Sequence, residues 1–278
     1  GGKNTAIGWN AMTNLDAGGN GNNVSVGFNS SAAMTTSVAS TIVGSEAGKA
    51  ITTGNYNTVL GYLALSSEDE GSHNVAIGYL ALQDQDAGAD AYNVAIGSSA
   101  GKEVTTGKEN VFIGGNVADS ITTGIRNVAI GHAALQTEDE HGYNVAIGNR
   151  ALQTQNAGAD AYNVAVGSNS GQAITTGIYN TLVGGLSGDA LTTGQYNTAI
   201  GYLTLSTEDT GNQNVAIGRA ALMTLNYDGD GNNVAVGNNA GASATTAIQS
   251  TFIGAFAGDA VTTGLANTAI GYNALSGE

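Results

Sequence analysis

Between an asparagine and a glycine, the chain repeats a triplet of apolar or β-branched residues. The glycine falls at 8, 27, 44, 61, 78, 97, 114, 131, 148, 167, 184, 201, 218, 237, 254 and 271. Relative to it, position −1 is Ile, Val or Leu in all sixteen units, and position −3 is Val or Thr in all sixteen. Position −4 is Asn in fourteen, with Ser40 and Ser250 in the other two. A short β-branched run bounded by turn residues reads as a strand. Self-similarity at a fixed short period is the mark of a solenoid.

Side chains alternate along a strand, so positions −3 and −1 share one face and position −2 takes the other. The branched pair at −3 and −1 is expected to point into the core. Position −2 is then outward, yet it is never charged. It is Ala in ten units, for example Ala129, and Ser25 in one. The remaining five carry Ile42, Val59, Phe112, Leu182 and Phe252. A strand that is apolar on both faces is buried on both. The expectation is therefore a self-associating chain, with Ile42, Phe112, Leu182, Phe252 and Ala129 at the contact between copies.

A second short element follows the glycine. Position +3 is small, as at Ala47, Ala64 and Ala81. Position +4 alternates in blocks, from Leu65 and Leu82 to Gly101 and Ala118. Some units add an apolar residue at +7, such as Ile51, Val104 and Ile121. A glycine near +10, as at Gly54 and Gly124, turns the chain back. Each unit spans 17 residues, with 19 at every fourth, so four units make a super-repeat of 70. The extra residues fall in the loops 16–22, 86–92, 156–162 and 226–232. The pattern predicts an all-β chain: a parallel β-solenoid of about sixteen 17–19-residue coils, one repeat array over residues 1–278. At about 4.8 Å per coil it would measure roughly 75 Å. The chain opens two residues before a repeat and stops within one, and so reads as a segment of a longer fibre protein.

Composition narrows the functions. Seven Lys and Arg against 22 Asp and Glu give a net charge of −15. No basic stripe is present to engage nucleic acid or an anionic membrane. No apolar run is long enough to insert into a bilayer. Cysteine is absent, which leaves no disulfide frame and no thiolate metal site.

Asn-Thr/Val-Ala-Ile-Gly-Tyr-x-Ala-Leu followed by Thr-Thr-Gly, best seen at 57–65, 74–82, 127–135, 197–205 and 267–275, resembles the repeats of bacteriophage tail-fibre shafts. It is also similar to bacterial surface fibres and to the head repeats of trimeric autotransporter adhesins. The resemblance runs over essentially the whole chain. It implies a left-handed parallel β-roll, three identical chains per fibre, and an extracellular place on a virion tail or a bacterial surface. The coil is longer than that of the adhesins, which favours the phage type. The implied role is a structural or adhesive shaft in host attachment, with a host glycan or protein as receptor. The alternatives are a bacterial trimeric adhesin, or a glycan-binding module using Tyr92 and Tyr162 of the 19-residue loops.

Candidate chemistry is thin, and no enzymatic role is expected. Position +8 stacks Asp69 on Asp86, with Glu68, Glu70, Asp84 and Asp90 nearby, a set of oxygens of the kind calcium prefers. Against calcium, Asn156 and Asn226 replace one Asp of the later pairs, and a solvated acidic edge is the plainer reading. Paired carboxylates could hydrolyse glycosides, but these recur along the chain, whereas an active site is singular. The Thr ladder that might order ice is interrupted by acids every two coils. His73, His132 and His141 take different unit positions and form no ligand pair.

Overall fold

The computed structural model describes residues 2–16, 18 and 20–277. Among the described residues, sixteen three-residue strands occupy positions −3 to −1 of the sixteen repeats, from β1 (Thr5–Ile7) to β16 (Thr268–Ile270). No described residue is helical. The chain divides into two compact units, 1–142 and 143–278. The first holds β1 to β8 (Val128–Ile130), and the second β9 (Val145–Ile147) to β16. In each unit, successive strands pair in parallel as a β-solenoid. Register is strict: β6 (Val94–Ile96) meets β7 (Val111–Ile113) with Val94 opposite Val111, Ala95 opposite Phe112 and Ile96 opposite Ile113. Each repeat position therefore stacks on itself and forms a column.

The faces are the reverse of the sequence expectation. The middle residue of every strand from β2 (Val24–Val26) to β16 is buried, while its −3 and −1 neighbours are partly or fully exposed. Ile42, Phe112, Leu182, Phe252 and Ala129 have no solvent exposure within a single chain. They are core residues, so their assignment to a contact between copies is corrected.

The physical reason is that the core is thin, and two columns share one space. Where position −2 is large, the facing +4 residues are small. A Cβ on Gly101 would lie 2.7 Å from Phe112 Cδ2, and one on Gly188 would lie 2.9 Å from Leu182 Cδ2. Where position −2 is Ala, as at Ala129 and Ala146, position +4 is Leu135 or Leu152, both fully buried. The 70-residue super-repeat is thus a packing rule: one large −2 side chain serves two coils with small +4 residues, as Phe252 does for Gly241 and Gly258, and Leu at +4 fills the coils between.

The motif glycine has two reasons to be glycine. Its φ lies between +121° and +144°, a region closed to side chains. A Cβ on Gly61 would also strike the backbone carbonyl of Gly78 in the next coil. The Asn column at −4 is a buried ladder. Asn110 Oδ1 accepts the backbone N–H of Asn127 at 2.8 Å, and Asn110 Nδ2 donates to the Gly124 carbonyl at 2.9 Å. These side chains bond to the neighbouring coil and to a distant part of their own, and satisfy backbone groups that would otherwise be buried without partners. The left-handed turn residue lies one place before the Asn: all sixteen residues at −5, among them Tyr56, Arg126 and Tyr196, have φ between +52° and +64°.

Candidate functional site: an uncharged face and an acidic edge

Outward from each unit stand the −3 and −1 columns, a continuous surface of Val, Thr, Ile and Leu. Leu60 is 49% exposed, Ile253 40% and Ile200 37%. Two further columns border it in sequence. At +1 are Trp9 and Phe28, stacked at 5.0 Å, and Tyr62 and Tyr79, stacked at 5.9 Å. At −5 the first unit stacks Tyr56, His73 and Tyr92 at 5.0 and 4.8 Å. The second unit stacks Tyr143, Tyr162, Tyr179 and Tyr196 at 4.9, 5.7 and 5.2 Å. Strict register sets these distances, because any ring in such a column lies one coil from the next.

These four columns hold 64 positions but only four charged residues, Lys3, Glu109, Arg126 and Arg219. They therefore include three of the seven cations and one of the 22 acids. Glu109 Oε2 accepts from Arg126 Nε at 2.7 Å, and this hydrogen bond holds the Glu109 carboxyl below its usual range. The remaining acids lie in the second element and the loops, away from the strands.

Tyr92 and Tyr162 were singled out for glycans. Both are about half exposed, but Tyr162 has a tyrosine on each face and Tyr92 has His73 on one. Tyr162 therefore presents its ring edge and hydroxyl tip, not an open face on which a sugar stacks. The Tyr92 hydroxyl lies 3.3 Å from Asp90 Oδ2, which also lies in reach of His73 through its other oxygen, at 3.6 Å. The nearby Asp90 charge pushes the Tyr92 phenol up.

The acidic edge brings Asp69 and Asp86 together as the register requires, and adds Glu68. One carboxylate oxygen from each lies within 4.8 Å of the others. Desolvation first, then Asp69 and Glu68, push the Asp86 carboxyl up. Glu68 fits calcium poorly. Its oxygens already accept from Gly71 N at 2.7 Å, Gln85 Nε2 at 2.9 Å and Ala87 N at 3.2 Å. That leaves two surface carboxylates, against the six to eight oxygens calcium takes. A second group escaped the sequence reading: Glu138, Asp139 and His141, with His141 Nδ1 3.4 Å from Glu138 Oε1. The signal was there in the three-residue spacing of Glu138 and His141 across a turn.

The sequence reading also missed the buried acids. Position +7 is apolar at Ile51, Val104 and Leu191, but Glu68, Glu138 and Glu208 fill the same column with no exposure. Burial pushes the Glu138 and Glu208 carboxyls up. No helix is long and apolar enough to cross a membrane among the described residues. No protein-family model, curated protein or solved structure matches this chain.

Proposed function

We propose that the chain is a shaft segment of an extracellular fibre, a phage tail fibre acting in host attachment, in which copies of the chain join along the uncharged strand face. The observation that carries this is the near-absence of acids from the strand columns of a chain with net charge −15. Copies so negative repel one another, and they approach at least cost through the surface free of carboxylates. Eight strands about 4.8 Å apart and about 10 Å long give each unit roughly 400 Å² of such surface. That is in the range of the largest apolar patch on an ordinary protein, which is often functional. The exposed aromatics at −5 and +1 suit an interface between chains, where Tyr, Trp and Phe are enriched.

Three copies per fibre and a left-handed course are carried over from the resemblance to tail-fibre and adhesin repeats. On this reading the segment contributes length, stiffness and displayed loops, and no chemistry. A receptor on the host surface would meet the loops or parts of the fibre beyond this segment.

The test is sedimentation of the wild-type chain beside Leu60→Asp and Ile200→Asp. Both side chains are outward and exposed, so each variant is expected to keep its β circular dichroism while the trimer dissociates. A wild-type chain that sediments as a monomer at micromolar concentration would sink the proposal. So would variants that stay trimeric.

A further inference from the structure

In five of the 17-residue coils, among them those of Gly44 and Gly184, the backbone N–H at +9 donates forward, to the +8 carbonyl of the next coil. Thr53 N reaches Asp69 O, and Thr193 N reaches Asp209 O, both at 3.3 Å. The two-residue insertion of a 19-residue coil reverses this. The +8 N–H still points forward, from Asp86 to Thr105 O at 2.9 Å and from Asn226 to Thr245 O at 2.7 Å. The +9 N–H points back into the preceding coil. Ala87 N meets Glu68 Oε2, and Tyr227 N meets Glu208 Oε2, each at 3.2 Å. The other oxygen of each carboxylate accepts from its own turn: Gly71 N at 2.7 Å and Gly211 N at 2.8 Å.

We propose that the buried carboxylates of Glu68 and Glu208 are latches that fix the inserted loops 86–92 and 226–232 of the following coils in one conformation. Each carboxylate sits in a buried column that is apolar in most coils, as at Ile51, Val104 and Leu191, and burying it unpaired would be strongly unfavourable. It is retained because the insertion leaves a half-buried N–H with no forward partner. Both of its oxygens face N–H donors, which glutamine cannot match, since its amide would turn a donor toward a donor. Gly71 and Gly211 complete the device, because a Cβ on either would run into the carboxylate. Gln85 also bonds to Glu68, but Leu225 takes its place beside Glu208 and the contact to Tyr227 persists. The backbone contacts are therefore the shared part of the latch. A loop held this way is presented to a partner already ordered, which lowers the entropy lost on binding.

The test is amide exchange resolved to single residues in the full chain. The variants are Glu208→Leu, a side chain the column already accepts at Leu191 and Leu225, and Glu208→Gln. In both, the Tyr227 amide and loop 226–232 should exchange about tenfold faster, while the Thr193 amide of a 17-residue coil keeps its wild-type rate. Glu68→Gln, read at Ala87, repeats the test in the other unit. Unchanged exchange at Tyr227 and Ala87 in folded variants would overturn the latch. So would global unfolding of all three variants, which would make the carboxylate a support of the whole coil stack.

Discussion

Phe112 fills the place of the side chain that Gly101 lacks: a Cβ on Gly101 would stand 2.7 Å from the ring's Cδ2. The two residues belong to adjacent coils and to different columns, and each dictates the size of the other. Phe252 repeats the relationship with Gly241, at the same 2.7 Å.

This pairing can be exchanged. Leu65 and Leu82 hold the same column as Gly101 with φ of 48°, so the backbone there accepts leucine, and Phe112 is the nearest obstacle, ahead of Leu82 Cδ2 at 3.1 Å. Phe112→Ala alone should lose about 3–5 kcal/mol through the cavity it leaves. Gly101→Leu alone should lose about 1–3 kcal/mol or more by overpacking. Together they should lose much less than the sum, with a coupling of about 1 kcal/mol or more in a double-mutant cycle. Denaturant unfolding of the four chains measures it, and strict additivity would refute the shared-volume account.

Glycine is needed for different reasons at different places. Gly61, with φ of +144° and the next coil's carbonyl where a Cβ would go, should not tolerate alanine. Gly61→Ala is expected to lower stability by about 3 kcal/mol or more. Gly88, in an inserted loop, has φ of +58° with nothing within 4 Å of a Cβ. Gly88→Asn should stay within about 1 kcal/mol of wild type, because Asn tolerates that conformation. Melting temperatures of the two variants should therefore separate clearly.

Acidity should stabilise the fold. Desolvation pushes Glu138, Glu208, Asp119, Asp189 and Asp86 upward. Between the unfolded and folded pKa of such a group, the folded chain holds a proton the unfolded chain has lost, so stability falls as pH rises through that window. Glu109 is shifted down by Arg126. Its contribution is present above the unfolded pKa and is lost only as pH falls through the lower folded one. Calorimetry should thus give a higher melting temperature near pH 5 than near pH 8, the window opening at the unfolded carboxylate pKa of about 4. Glu208→Leu should flatten the slope. A melting temperature that rises steadily with pH would contradict this.

The repeat length, the three-residue strand and the turn role of the motif glycine were legible in the sequence, because each follows from local chemistry repeated sixteen times. The orientation of the strand was not. Branched Val and Ile at −3 and −1 look like a core, and Ala at −2 looks too small to be one. In a coil this narrow the small residue is the one that fits inside, and the branched pair is left outside. A clue lay in the chain: Phe112, Leu182 and Phe252 appear only where Gly or Ala occupies the neighbouring +4 positions, and residues that exchange volume share a space. The buried Glu68, Glu138 and Glu208 were hidden because, among so many acids, a core carboxylate looks like a surface one. Only their hydrogen bonds to backbone distinguish them.

The Asn ladder has a mechanical consequence. Its hydrogen bonds, like those of the strands, run from coil to coil, along the direction in which a shaft would be pulled. Tension along the stack therefore loads one inter-coil seam at a time and peels the unit a coil at a time. Each seam that opens releases at least 17 residues, or about 60 Å of slack, for a coil that occupied about 4.8 Å. A unit built this way would yield in steps under load, dissipating work long before the covalent chain is strained.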